Sequence, residues 1–224
     1  MSSREAVLGA VRSSLRSGGF GKGSKEAIEA ELTAHKRNII PARAQLSAEE
    51  RVQLFIEEAE AINATTERVA TLADIPAALA KYLADANLPA EVRLAPDALI
   101  QSIPWGDQPT LTTATGPAEP TDAVAISAAF AGVAETGTLV LHSGPDNPTT
   151  LNILPDTHVV VLATDRLSGA YEEAWSRLRE TGDGSMPRTV NWITGPSRTA
   201  DIEQTLLLGA HGPRQLHILL VDQT

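Results

Sequence analysis

Through the first sixty residues apolar side chains recur at helical spacing; after that they gather into short runs separated by helical stretches. Val7, Leu8, Val11 and Leu15 fall on one side of a predicted helix over 2–17, with Arg4, Arg12 and Arg16 around them. Gly18-Gly19 ends it. A second, more polar helix is expected over 24–38. Ser47-Ala-Glu-Glu50 has the spacing of a capping box, a hydroxyl at the cap and a carboxylate three positions on. It predicts a third helix from Ser47 to about Ile62.

From Glu67 the period changes. Strands are expected at 68–72, 92–94, 124–126, 138–141, 158–162, 189–193 and 216–221. Helices are expected at 74–85, 168–179 and 199–208. The Pro-, Gly- and Thr-rich segment 104–120 is expected to be a long loop. Alternation of strand and helix implies a largely parallel sheet covered by helices. The chain thus divides into a helical N-terminal appendage over residues 1–63 and an α/β domain over 64–224. No internal repeat or low-complexity tract interrupts it.

Open α/β sheets hold ligands at the carboxyl ends of their strands, so polar turns between apolar elements are where chemistry is sought. Three turns qualify. Ala134-Glu-Thr-Gly-Thr138 sets the carboxylate of Glu135 beside the hydroxyls of Thr136 and Thr138. Glu135 there can serve as base, nucleophile or acceptor, or the segment is a plain turn for which Gly137 supplies a positive φ. Gly195-Pro-Ser-Arg-Thr-Ala-Asp201 offers Ser197, Arg198, Thr199 and backbone N–H groups at the start of the helix expected there. That set suits a carboxylate or phosphate, with Asp201 and Glu203 as nearby carboxylates. The plainer alternative is a capped helix whose acidic pair complements the dipole. Gly209-Ala-His-Gly-Pro-Arg214 places His211 beside Gly209 and Gly212, either as donor near a ligand or as an ordinary cap and turn. The polar loop His142–Thr150 is a further ligand loop or a simple connection. His217 reads as a packed core or edge histidine, and the same reading suits His158 and His35.

Composition narrows the function classes. A formal net charge of -10 opposes nucleic acid and anionic membrane as partners. With no cysteine there is no disulfide, thiolate nucleophile, Cys-ligated zinc or iron–sulfur cluster held by this chain's own thiolates. No cofactor and no metal site are expected on the chain. No apolar run approaches membrane-spanning length, and the opening residues carry Glu5 and no apolar core of a secretory signal. A cytoplasmic protein without membrane insertion is expected. Gly18–Lys25 superficially resembles a phosphate loop but lacks the Gly-Lys-Ser/Thr ending and follows a helix.

Four motifs stand in order: A-E-T-G-T-L-V-L (134–141), L-P-D-T-H-V-V-V-L (154–162), I-T-G-P-S-R-T-A-D-I-E (193–203) and L-G-A-H-G-P-R-Q-L-H-I-L-L-V-D (208–222). Together with A-V-L-G-A-V-R-S-S-L (6–15) they resemble the LUD-domain family, in its lactate utilization protein C branch. The resemblance implies a three-layer α/β fold like that of the ribose-5-phosphate isomerase, glucosamine-6-phosphate deaminase and CoA-transferase group. It further implies a part in oxidising L-lactate to pyruvate beside two iron–sulfur subunits, with this chain as the cluster-free member. The positions that match the family motifs are Glu135, Thr136, Gly137, Thr138, Gly195, Pro196, Ser197, Arg198, Thr199, Asp201, Glu203, Gly209, His211, Gly212 and Pro213. One departure is informative: the loop Asp146–Thr150 has no Lys or Arg where the resemblance leads one to expect basic residues. That shifts any anion site toward Arg198. Three functions stay open: such a subunit, binding a small carboxylate or phosphate or supporting assembly; a stand-alone transferase or isomerase using Glu135; and an interaction protein that docks through its N-terminal helices.

Overall fold

The computed structural model describes residues 3–17, 25–181, 186–199 and 207–224. By contact the chain forms two compact units, 1–39 and 40–224. The first contains helices α1 (Ser3–Ser17) and α2 (Lys25–Ala34). Val7, Val11 and Leu15 on α1 and Ile28 and Leu32 on α2 are exposed. No described helix is long and apolar enough to cross a membrane.

The second unit opens with α3 (Ala48–Ala61). The capping box read from the sequence is present: Ser47 N–H donates to Glu50 Oε2 at 2.9 Å, and Glu50 N–H to Ser47 Oγ at 3.5 Å. Helix α3 buries Val52, Phe55 and Ala59, so it belongs by contact with the α/β body. There follow β1 (Thr65–Thr71), α4 (Ile75–Asp85), β2 (Glu91–Leu94), α5 (Ala98–Ser102), β3 (Thr112–Thr115), β4 (Val124–Ala128), β5 (Ala131–Val133) and β6 (Thr138–His142). Then come β7 (Thr157–Ala163), β8 (Leu167–Ser168), α6 (Tyr171–Glu180), β9 (Val190–Ile193), β10 (Arg198–Thr199), β11 (Leu207–Leu208) and β12 (Gln215–Gln223).

Six strands form one sheet in the order β1-β12-β7-β4-β2-β3, and every pairing in it is parallel. This is the mixed α/β architecture that the strand–helix alternation implied. Its central strands are continuous apolar runs because both faces are covered; all seven residues of β7 are buried. Alternation assigns the faces. Val159, Val161, Leu219 and Val221 pack with Ile75, Leu79 and Leu83 of α4. Val160, Leu162, Ile218 and Leu220 pack with Phe55 and Ala59 of α3 and with Leu139 and Leu141 of a second sheet.

That second sheet, β8-β5-β6-β9, is largely antiparallel and was not expected from the pattern. Its other face is closed by α6, where Ala174, Leu178 and Trp175 meet Val140 and Trp192. Two further expectations change. The loop expected at 104–120 contains β3, an edge strand exposed at all four positions and therefore without an apolar period to detect. The helix expected at 199–208 is not seen at either end. Arg198–Thr199 and Leu207–Leu208 instead pair antiparallel, a tertiary ladder overriding local propensity. The stretch between them lies outside the described residues.

Candidate functional site

The Glu135 turn joins β5 to β6. Gly137 there has φ +60, and a Cβ on it would stand 2.4 Å from the backbone N of Ala59, so the turn packs directly on α3. Glu135 is buried, and its N–H donates to Gly169 O at 3.2 Å. The two threonines join a hydroxyl cluster. Thr138 Oγ1 lies 2.7 Å from Thr136 Oγ1, 2.9 Å from Tyr171 Oη and 2.8 Å from Thr194 Oγ1. The last contact ties the first turn to the second.

The second turn leaves β9 at Thr194. Gly195 has φ +77, and a Cβ there would meet Ile62 O at 2.8 Å. Ser197 stitches this turn to the third. Its N–H donates to Pro213 O at 2.8 Å, its carbonyl accepts from Gly209 N–H at 2.9 Å, and its Oγ accepts from His211 N–H at 3.3 Å. His211 thus meets Ser197 through its backbone. The Ser197 N–H, one of the donors expected to face an anion, is taken up by Pro213 O.

Between these stitched turns lies a cavity of about 510 Å³. Gly195, Ser197, Arg198, His211 and Gly212 line it, as do Asn152, Asn191 and His158. No acidic side chain is among the described lining residues, although the chain as a whole carries -10. Arg198 is exposed at the mouth. Glu135, Thr136, Gly137 and Thr138 stand outside the lining set, behind Thr194; buried Thr199 in β10 is also outside it. Asp201 and Glu203 lie outside the described residues.

The cavity's place in the fold differs from the sequence expectation. His158 and Leu216, which line it, are the second residues of β7 and β12, so it opens at the amino ends of the central strands. The carboxyl ends of β4 and β7 border a smaller cavity of about 200 Å³, whose lining includes Asp97, His142, Asn147 and Arg166. The polar loop 142–150 therefore contributes there, through His142 and Asn147.

His158 is the packed strand histidine that the sequence leads one to expect, and it also lines the cavity, which that reading does not signal. It is 0% exposed. Its Nε2 lies 2.7 Å from Ser127 Oγ, and its Nδ1 has no partner. Burial lowers its pKa to about 3, so the ring is neutral. The Leu-Pro-x-x-His spacing of 154–158 was the available clue. Asn152, Asn191 and Tyr171 carried none. Among the described residues no cluster of three His, Cys, Asp or Glu side chains is placed to hold a metal ion.

Residues 121–221 match the LUD domain family model. A lactate utilization protein C from Deinococcus radiodurans is 32% identical over 153 residues, covering 66% of this chain and 69% of that protein. The chain belongs to the LUD-domain family. An uncharacterized protein from Neisseria meningitidis serogroup B is 44% identical over 97 residues, 42% of this chain and 40% of that protein. Against that protein and several lactate utilization protein C relatives, the chain spans about two fifths of their length. The fold is also that of a DUF162 family protein from D. radiodurans, known from a crystal structure. The TM-score is 0.55 at 23% identity, covering 79% of this chain and 99% of that one. The LUD match contains β4 through most of β12 and with them all residues lining the 510 Å³ cavity.

Proposed function

We propose that this LUD-domain chain is a cluster-free component of a system oxidising L-lactate to pyruvate, and that its 510 Å³ cavity holds a small carboxylate. The observation that carries the reading is the lining: a guanidinium at the mouth, hydroxyl and amide groups within, and no acid among the described residues. In a strongly acidic protein such a hollow is where an anion meets least repulsion. Arg198 supplies a planar pair of donors matched to a carboxylate, and Ser197 and Asn191 line the same cavity. Relatives named for lactate utilization supply the metabolic setting. Without cysteine the chain holds no iron–sulfur cluster by its own thiolates, and iron–sulfur subunits are the proposed partners that take up the electrons released by lactate.

Isothermal titration of the purified chain with pyruvate and L-lactate tests the binding half. Arg198→Ala is expected to weaken either ligand by about tenfold or more, the effect of losing a charged hydrogen bond. Equal affinity in the two proteins would remove Arg198, and with it the carboxylate reading of the cavity.

A further inference from the structure

His158 stands on the cavity wall with one ring nitrogen engaged and the other not. The engaged one fixes the tautomer. Ser127 is 2% exposed, and the hydrogen bond described for its hydroxyl is the one to His158 Nε2. A buried hydroxyl donates to the acceptor it reaches. With Ser127 O–H donating to Nε2 the ring proton resides on Nδ1; the reverse assignment would leave both the Ser127 O–H and the Nδ1 lone pair without a partner. A buried N–H without an acceptor is costly and rare in folded proteins. Here it occurs in a residue of the central sheet that also lines the 510 Å³ cavity.

Building on the carboxylate reading of this site, we infer that His158 Nδ1–H is a ligand-binding donor on the cavity floor. The ligand class follows: a small organic acid carrying an oxygen acceptor beyond its carboxylate. The two ends of the cavity divide the work by charge. Arg198 at the exposed mouth attracts the carboxylate. His158, enclosed and kept neutral by burial, is matched to an uncharged oxygen such as a carbonyl or hydroxyl. Ser127 acts through His158 as a positioning residue, holding the proton on the nitrogen that meets the ligand.

Pyruvate and propionate share length and charge and differ by one carbonyl oxygen, so they isolate the donor. Wild-type protein is expected to bind pyruvate about tenfold more tightly than propionate by calorimetric titration, the scale of one well-made hydrogen bond. In His158→Phe that preference shrinks to roughly twofold or less, while propionate binding persists. Histidine-selective ¹⁵N spectra of the ligand-free wild type are expected to show the Nδ1–H tautomer. Ser127→Ala is expected to give mixed tautomers and an intermediate preference. Should His158→Phe fail to fold, the wild-type tautomer and Ser127→Ala decide the matter. An Nε2–H tautomer, or a pyruvate preference that survives loss of the imidazole, overturns the role of His158. It does so without touching the carboxylate site, provided both probes still bind through Arg198. Binding of neither probe overturns both.

Discussion

At the scale of single residues, Gly137 shows how tightly the motif turns are built into the fold. Its φ of +60 and the 2.4 Å approach of a hypothetical Cβ to Ala59 N leave room for no side chain. Gly137→Ala is expected to cost about 2–4 kcal/mol in urea-unfolding stability, combining left-handed strain with a backbone clash. A cost below about 0.5 kcal/mol would mean that α3 is not seated on this turn. Glu135 owes its place to the same packing, which buries it behind the Thr136–Thr138–Tyr171–Thr194 hydroxyls. The two buried histidines make a second residue-scale test. Burial lowers His158 to about 3 and His217 to about 4, the latter ring stacked 3.8 Å from Tyr82. The unfolded chain binds these protons near pH 6.5 and the folded chain does not. Their stabilising contribution is therefore complete above pH 6.5 and lost as pH falls from there toward 4 for His217 and 3 for His158. Chemical unfolding at pH 7 and pH 5 should differ by about 1–4 kcal/mol from this source, and His217→Phe should reduce the difference. A pH-independent midpoint across that window would contradict neutral burial of both rings.

At the scale of elements, legibility followed the strength of each local pattern. Ser47 and Glu50 announced α3 because a capping box is a property of four consecutive residues. The runs at β7 and β12 announced central strands because burial on both faces leaves no polar alternation. β3 went unseen because all four of its residues face solvent. Ala131-Gly-Val133 went unseen because three small residues carry no period; the strand is defined by its partners β6 and β8. The ladder between Arg198–Thr199 and Leu207–Leu208 is likewise a pairing across sequence that helical propensity at 199–208 does not register. Helix α3 carries a prediction of its own. Phe55→Ala, at a fully enclosed position, is expected to cost about 3–5 kcal/mol. A chain beginning at Ile40 should keep the cooperative unfolding of the second unit, whereas one beginning at Ile62 should lose it. Cooperative melting of the shorter chain would show that α3 is dispensable to the core.

At the scale of the whole molecule, the site is an encounter of segments far apart in sequence. Asn152, His158, Asn191, Ser197, Arg198 and His211 come from the turn 149–152, from the start of β7, from β9 and from the turns that Ser197 stitches together. The polar turns at 195–198 and 209–213 could be picked out as site material one at a time. Their union with His158 could not, because it depends on β9 of the second sheet sharing one cavity with the amino ends of β7 and β12. The general tendency of parallel sheets to bind at carboxyl ends pointed the other way, toward the smaller cavity beside Asp97 and Arg166. The central claim joins the larger cavity to lactate oxidation. It is tested most directly by deleting the gene in a host that has no other active lactate oxidase and growing the strain on L-lactate as sole carbon source. The account predicts loss of growth, restored by the wild-type gene and not by Arg198→Ala expressed at equal level. Unimpaired growth of the deletion strain, or full rescue by Arg198→Ala, would contradict it.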